Sequence, residues 1–300
     1  MLKNVKRLRL LSLIITILLL VTAQAYSAEY ANPKLLVSPA DIEKNMGKWI
    51  VLDCRPKAGY DAGHIPGAIH LGDTCAKAMR DVLPDVTKQK KAEDVEKVLG
   101  DAGISNDKTV VVYADLKDIT SAGVAFFVFE YWGNKDTRFL NGGIEAWTAD
   151  GKKLETAPAK LPAAKFKATA NPKILATTDD MLKIAKGEVK GVQVVCDRTS
   201  GEYAGTDVRA KRGGRIPNTT LNVPHTELFD KATGKIKSMD DLEKLYAKLD
   251  KSKKTIGYCQ TGTRSSLSYL VKRVIGFKDP VNYQDSWIVW GNREDLPLEK

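Results

Sequence analysis

Short apolar runs punctuate the chain at intervals, and between them lie longer stretches in which polar and apolar positions mix at helical spacing. The runs are Trp49-Ile50-Val51-Leu52-Asp53, Lys108-Thr109-Val110-Val111-Val112-Tyr113, Gly191-Val192-Gln193-Val194-Val195-Cys196 and Lys254-Thr255-Ile256-Gly257-Tyr258. Asp240 to Leu249 and Ser265 to Ile275 are examples of the amphipathic stretches. Brief runs without alternation, bounded by turn residues and separated by helix-length segments, predict parallel strands buried between helices. The expected class is α/β, with open layered sheets.

The pattern occurs twice. Gly133 and Trp147 stand as far apart as Gly276 and Trp290, each pair following a strand, a polar loop and an apolar segment. Upstream, Asp53-Cys54-Arg55 is echoed by Cys196-Asp197-Arg198, each followed five residues after its Arg by a Tyr (Tyr60, Tyr203) and then by an Ile-Pro pair (Ile65-Pro66, Ile216-Pro217). Two homologous domains are expected, over residues 30–155 and 174–300, with a Pro/Ala/Lys-rich linker at 156–173. A chain of 300 residues accommodates them.

The first 25 residues read differently. Lys3, Lys6, Arg7 and Arg9 head a short apolar run, Leu10 to Val21, and Ala23-Gln24-Ala25 supplies small residues for cleavage. This is the layout of an export signal, and the run is shorter than the ~20 residues of a comfortable membrane span. A periplasmic or secreted protein without a permanent membrane span is expected. The head carries part of the net charge of +10, and the remaining Lys residues are interleaved with acids. That distribution predicts a solvated basic surface that attracts small anions and no nucleic-acid site.

Four cysteines, Cys54, Cys75, Cys196 and Cys259, lie far apart in sequence and are not grouped with His64, His70 or His225, so no metal site or other cofactor is implied. Cys54 and Cys196 fall in apolar strand runs and read as inert core. Cys75 falls in a loop, where it is free to pair with another Cys in an oxidising compartment.

Cys259 is different. It follows the strand ending at Tyr258 and opens the polar loop Gln260-Thr261-Gly262-Thr263-Arg264 ahead of a helix. Sites in open α/β sheets form beyond the carboxyl ends of the strands. A loop entering a helix turns several N–H groups inward, which favours the thiolate. Arg264 adds a fixed cation for an anionic substrate. The expected position of Cys259 is therefore a reachable rim.

At these residues the chain resembles the rhodanese family. Asp53-Cys54-Arg55 with Tyr60 to Ile69 resembles that family's N-terminal signature, Asn141-Gly142-Gly143-Ile144-Glu145-Ala146-Trp147 its closing segment, and Tyr258 to Ser265 its active-site loop. The resemblance implies a tandem thiosulfate or mercaptopyruvate sulfurtransferase with an inactive first domain and a catalytic second one. The first domain fits that division: the loop after Tyr113 is Ala114-Asp115-Leu116-Lys117-Asp118-Ile119, which has no Cys. The resemblance further implies Cys259 as nucleophile, carrying a persulfide between an anionic sulfur donor and a cyanide, thiol or protein-Cys acceptor. Gln260, Thr261, Gly262, Thr263, Arg264 and Arg198 are the expected substrate contacts, and a salt bridge to Glu202 is the competing assignment for Arg198.

Gln260 and Thr261 are neutral where thiosulfate users of the family commonly carry basic residues. A phosphatase of related fold needs five residues between Cys and Arg, and four stand here. The other rival is a non-catalytic exported sulfur carrier or binding subunit.

Overall fold

In a computed structural model, residues 29–80 and 92–300 are described. The export signal assigned to residues 1–25 lies outside them. Two five-stranded sheets form, with all strand pairs parallel. The first comprises β1 (Leu36–Val37), β2 (Ile50–Asp53), β3 (Ile69–His70), β4 (Val110–Tyr113) and β5 (Thr137–Leu140) in the order β1-β5-β4-β2-β3. The second comprises β6 (Leu175–Ala176), β7 (Gln193–Cys196), β8 (Leu221–Asn222), β9 (Lys254–Tyr258) and β10 (Asp279–Tyr283) in the order β6-β10-β9-β7-β8.

Helices flank both sheets. Those of the first half are α1 (Pro39–Lys44), α2 (Lys57–Ala62), α3 (Cys75–Arg80), α4 (Ala92–Asp101), α5 (Ile119–Tyr131) and α6 (Gly143–Ala149). Those of the second are α7 (Thr178–Ala185), α8 (Ser200–Ala204), α9 (Met239–Leu245), α10 (Thr263–Val274) and α11 (Ser286–Trp290). Ser38 and Thr177 each cap the helix that follows the first strand of their half, through reciprocal bonds with Asp41 and Asp180.

α5 is apolar on nearly every face, as a helix covered on all sides must be. It packs against α10 of the second half, with Gly123 so close to Leu267 that a Cβ there would lie 2.6 Å from the Leu267 Cβ. Beside this contact Glu130 accepts from Tyr269 Oη at 2.6 Å and from Arg273 at 2.5 Å. One apolar cluster accordingly draws residues from both halves. The linker lies along the first half, where Ala164 N–H bonds Gly100 O and Asn171 N–H bonds Tyr131 O.

The repeat survives in detail. Ile65 N–H donates to Tyr113 Oη at 3.2 Å, and Ile216 N–H to Tyr258 Oη at 3.2 Å. Cys54 N–H bonds Tyr113 O as Asp197 N–H bonds Tyr258 O. Trp147 Nε1 donates to Lys153 O, and Trp290 Nε1 to Pro297 O. The tryptophans expected to be core packing are buried, Trp147, Trp287 and Trp290 alike.

Candidate active site

Strand β9 and helix α10 hold Cys259 between them. The Gly262 backbone is left-handed (φ 80°), and a side chain there would run into Gln284, so the loop turns tightly into the helix. Ser286 Oγ accepts the Cys259 N–H at 3.1 Å and donates to Tyr283 O at 2.8 Å. Ser286 does this from a left-handed backbone (φ 53°), a strained conformation for a residue with a Cβ. Ser265 Oγ points at Cys259 Sγ from 3.6 Å. Ser286 thus holds the Cys259 backbone and Ser265 its sulfur.

Cys259 is a free thiol, but it is not on a rim. Its exposure is 0%. The difference from the sequence expectation has a physical reason. Ser265 and Arg264, on the first turn of α10, fold back over the sulfur, and the half-buried Thr261 and Thr263 carry the loop's exposed surface.

Arg264 forms a two-pronged pair with Glu202, at 2.7 and 2.8 Å. Burial works against the guanidinium's charge, but the Glu202 carboxylate and the Cys259 sulfur outweigh it and raise its affinity for the proton. Burial also opposes ionisation of Glu202, yet Arg264 and the Thr199 N–H bring its carboxyl down to about 2. Glu202 is completely covered, so the pair is a fixed strut with the sulfur at its end. Arg209, about half exposed, approaches Glu202 at 3.8 Å, and its carbonyl accepts from Gln260 Nε2 at 2.8 Å.

Arg198 does not reach the loop. Its guanidinium stacks 4.3 Å from the Trp287 ring centre and 5.6 Å from that of Tyr258, and it donates to Cys196 Sγ and Gly214 O. The competing salt bridge to Glu202 is not formed, because Arg264 holds that carboxylate. A carboxylate partner is missing for a simple reason. In the first half Arg55 is clamped by Asp53, at 2.6 Å to Oδ2, and Cys196 stands in the place of that Asp.

Three residues near the loop had no site role in the sequence reading, Arg209, Ser286 and His225, and Glu202 entered it only as a partner for Arg198. His225 follows β8, and its N–H bonds Asp197 O. Burial and the nearby Arg264 lower its proton affinity to about 4, so the imidazole is neutral in ordinary conditions. Its Nδ1 is buried without a hydrogen-bond partner. Glu202 stands three residues after Thr199, the spacing of a capping box, and that spacing is a signal for it; the others are set by folding. Among the described residues no cluster of metal-ligating side chains occurs, and no helix is long and apolar enough to cross a membrane.

Known proteins place this geometry. A profile described as the Rhodanese-like domain matches residues 38–150. The chain is 31% identical over 290 residues to the thiosulfate sulfurtransferase of Corynebacterium glutamicum, covering 90% of this chain and 92% of that protein. It is 34% identical over 291 residues to the sulfur carrier protein TtuD of Thermus thermophilus, covering 90% and 98%. Among solved structures, the anaerobic ergothioneine biosynthesis enzyme of Chlorobium limicola superposes with a TM-score of 0.78 at 21% identity, over 90% of this chain and 71% of that one. YnjE superposes with a TM-score of 0.75 at 24% identity, over 90% and 69%. The chain belongs to the rhodanese family and is a sulfurtransferase.

Proposed function

We propose that Cys259 carries the sulfur atom as a persulfide. The thiolate attacks the outer sulfur of a donor such as thiosulfate, the S–S bond breaks, and its electron pair leaves with sulfite. An acceptor, whether cyanide, a small thiol or a protein Cys, then attacks the outer sulfur of the persulfide and restores the thiolate. The observation that carries this reading is the placement of Cys259 between β9 and α10 with Arg264 against its sulfur. A cation and the first N–H groups of a helix both stabilise negative charge on sulfur, before and after transfer.

Because Glu202 already pairs with Arg264, the loop offers a dianionic donor little unspent positive charge. The further cation beside Glu202, Arg209, is half exposed and already paired with Asp207. Donors carrying a single negative charge are accordingly favoured over thiosulfate in kcat/KM. The substrate contacts of the loop are Gln260, Thr261, Gly262, Thr263 and Arg264. We place the protein outside the cytoplasm on the strength of its N-terminal sequence.

Steady-state assays with thiosulfate and with 3-mercaptopyruvate test the reading. Multiple turnovers, lost in Cys259→Ser, are expected. A Cys259→Ser variant with full activity refutes the assignment, and a wild-type protein that releases one equivalent and stops is a carrier.

A further inference from the structure

Two thiols remote from the catalytic loop lie against one another. Cys54 follows β2 and Cys75 opens α3, and both are wholly buried in the same apolar cluster. The Cys75 N–H donates to Cys54 O at 3.3 Å, and the Cys75 thiol is near enough to raise the proton affinity of Cys54. A main-chain bond between two residues holds their Cα atoms about 5–6 Å apart, the separation a disulfide needs. Their remaining contacts are weak: Cys54 Sγ is 3.8 Å from Leu52 O, and Cys75 Sγ is 3.9 Å from Asp53 O. Little is lost if the sulfurs turn toward each other.

The pair has no other evident chemistry. Burial, the neighbouring Cys75 thiol and Asp53 all push the Cys54 proton affinity up, so neither nucleophilic attack nor sulfur acceptance is favoured there. In the second half the corresponding positions hold Asp197 and His225, joined by the same main-chain bond. Pairing is thus a property of the first half alone.

We infer that Cys54 and Cys75 form an intramolecular disulfide when the chain folds in the presence of a low-molecular-weight disulfide. Two exchange steps convert the two thiols and one R–S–S–R into the Cys54–Cys75 bond and two R–SH. The cysteine sulfurs lose two electrons, the oxidant gains them, and the two thiol protons end on the released R–SH. Exchange precedes burial, because the folded core keeps the thiols protonated and covered. The bond ties α3 to the end of β2. Ala76 N–H in turn bonds Ser121 Oγ on α5 at 2.7 Å, so the staple supports the helix on which α10 rests.

The test uses the full chain, refolded from urea in reduced and oxidised glutathione, with native structure checked by circular dichroism. The refolded protein is alkylated in denaturant without reductant, digested and mapped by mass spectrometry. A Cys54–Cys75 linked peptide pair, with Cys196 and Cys259 unlinked to any protein Cys, is expected. The thermal midpoint is expected to fall by several degrees on reduction in wild type, and to be insensitive to reductant in Cys54→Ser and in Cys75→Ser. Native protein with Cys54 and Cys75 both alkylated overturns the inference. So does a link between any other pair.

Discussion

The two halves share a sheet order, a tyrosine at the end of the central strand and the same set of main-chain bonds, yet only the second carries a Cys directly after that strand. Ala114 stands where Cys259 stands: Ile144 N–H bonds Ala114 O as Trp287 N–H bonds Cys259 O, each at 3.0 Å. Around Ala114 the loop is acidic, with Asp115 and Asp118, and Leu116 packs on Gly234, which reaches across from the other half. Around Cys259 it is neutral up to Arg264. The strand signature has also exchanged its charges. In the first half a buried carboxylate, Asp53, satisfies Arg55. In the second the carboxylate has moved to Glu202, where it holds Arg264 beside the sulfur, and Arg198 is left to aromatic rings and a carbonyl. The scaffold is shared, and the half that carries the Cys is the one in which a buried carboxylate holds an arginine beside it.

Exchanging the two key positions gives the largest effect. Cys259→Ser should lower kcat/KM by at least about 1,000-fold, and Ala114→Cys in that background should restore nothing, since its loop repels anions. Recovery of turnover in the double variant, read by sulfite release, would erase the distinction between the halves.

The buried ion pair comes next. Asp53→Asn strands Arg55 and should cost about 3–5 kcal/mol in urea unfolding, whereas Cys196→Ser, which removes no charge, should cost about 1 kcal/mol. Equal costs would show that the two arginines are held alike.

Glu202→Gln should lower kcat by about 10-fold, because Arg264 is no longer held against the sulfur. Its effect on stability has a defined sign. The folded carboxyl, lowered to about 2, lies below its ordinary value, so its contribution is complete above about pH 4.5 and lost as the pH falls toward 2. The wild-type and Glu202→Gln unfolding curves should therefore converge on acidification. Convergence at alkaline pH instead would contradict the assignment.

The smallest effect is expected at Ser286, whose counterpart in the first half is Gly143, also left-handed at φ 61°. Ser286→Gly relieves about 1 kcal/mol of backbone strain and gives up a hydrogen bond of similar worth, so stability should barely change. Activity should fall a few-fold as the Cys259 N–H loses its acceptor. An unchanged kcat would reduce Ser286 to a packing residue.

Much of this was legible from the order of residues. Undiluted runs such as Val110-Val111-Val112 can only be covered strands, and the equal spacing from glycine to tryptophan announced the repeat. Cys259 was legible because a thiol after the last strand residue, ahead of a Gly-containing polar loop, has few structural uses. What could not be read was the depth of the thiol and the partners of its neighbours. Arg264 meets Glu202 across 62 positions of sequence, a pairing that exists only once β7 lies beside β9. The packing of Arg198 was equally hidden: with Cys196 in place of a carboxylate, its guanidinium lies against the rings of Trp287 and Tyr258.

The central claim is that sulfur rides on Cys259 despite its burial, and peptide mass spectrometry after brief exposure to thiosulfate or another sulfane donor tests it most directly. A gain of about 32 Da on the peptide containing Cys259, removed by cyanide and absent from Cys54, Cys75 and Cys196, is the predicted result. An unmodified Cys259 peptide in a preparation that is turning over donor would contradict it.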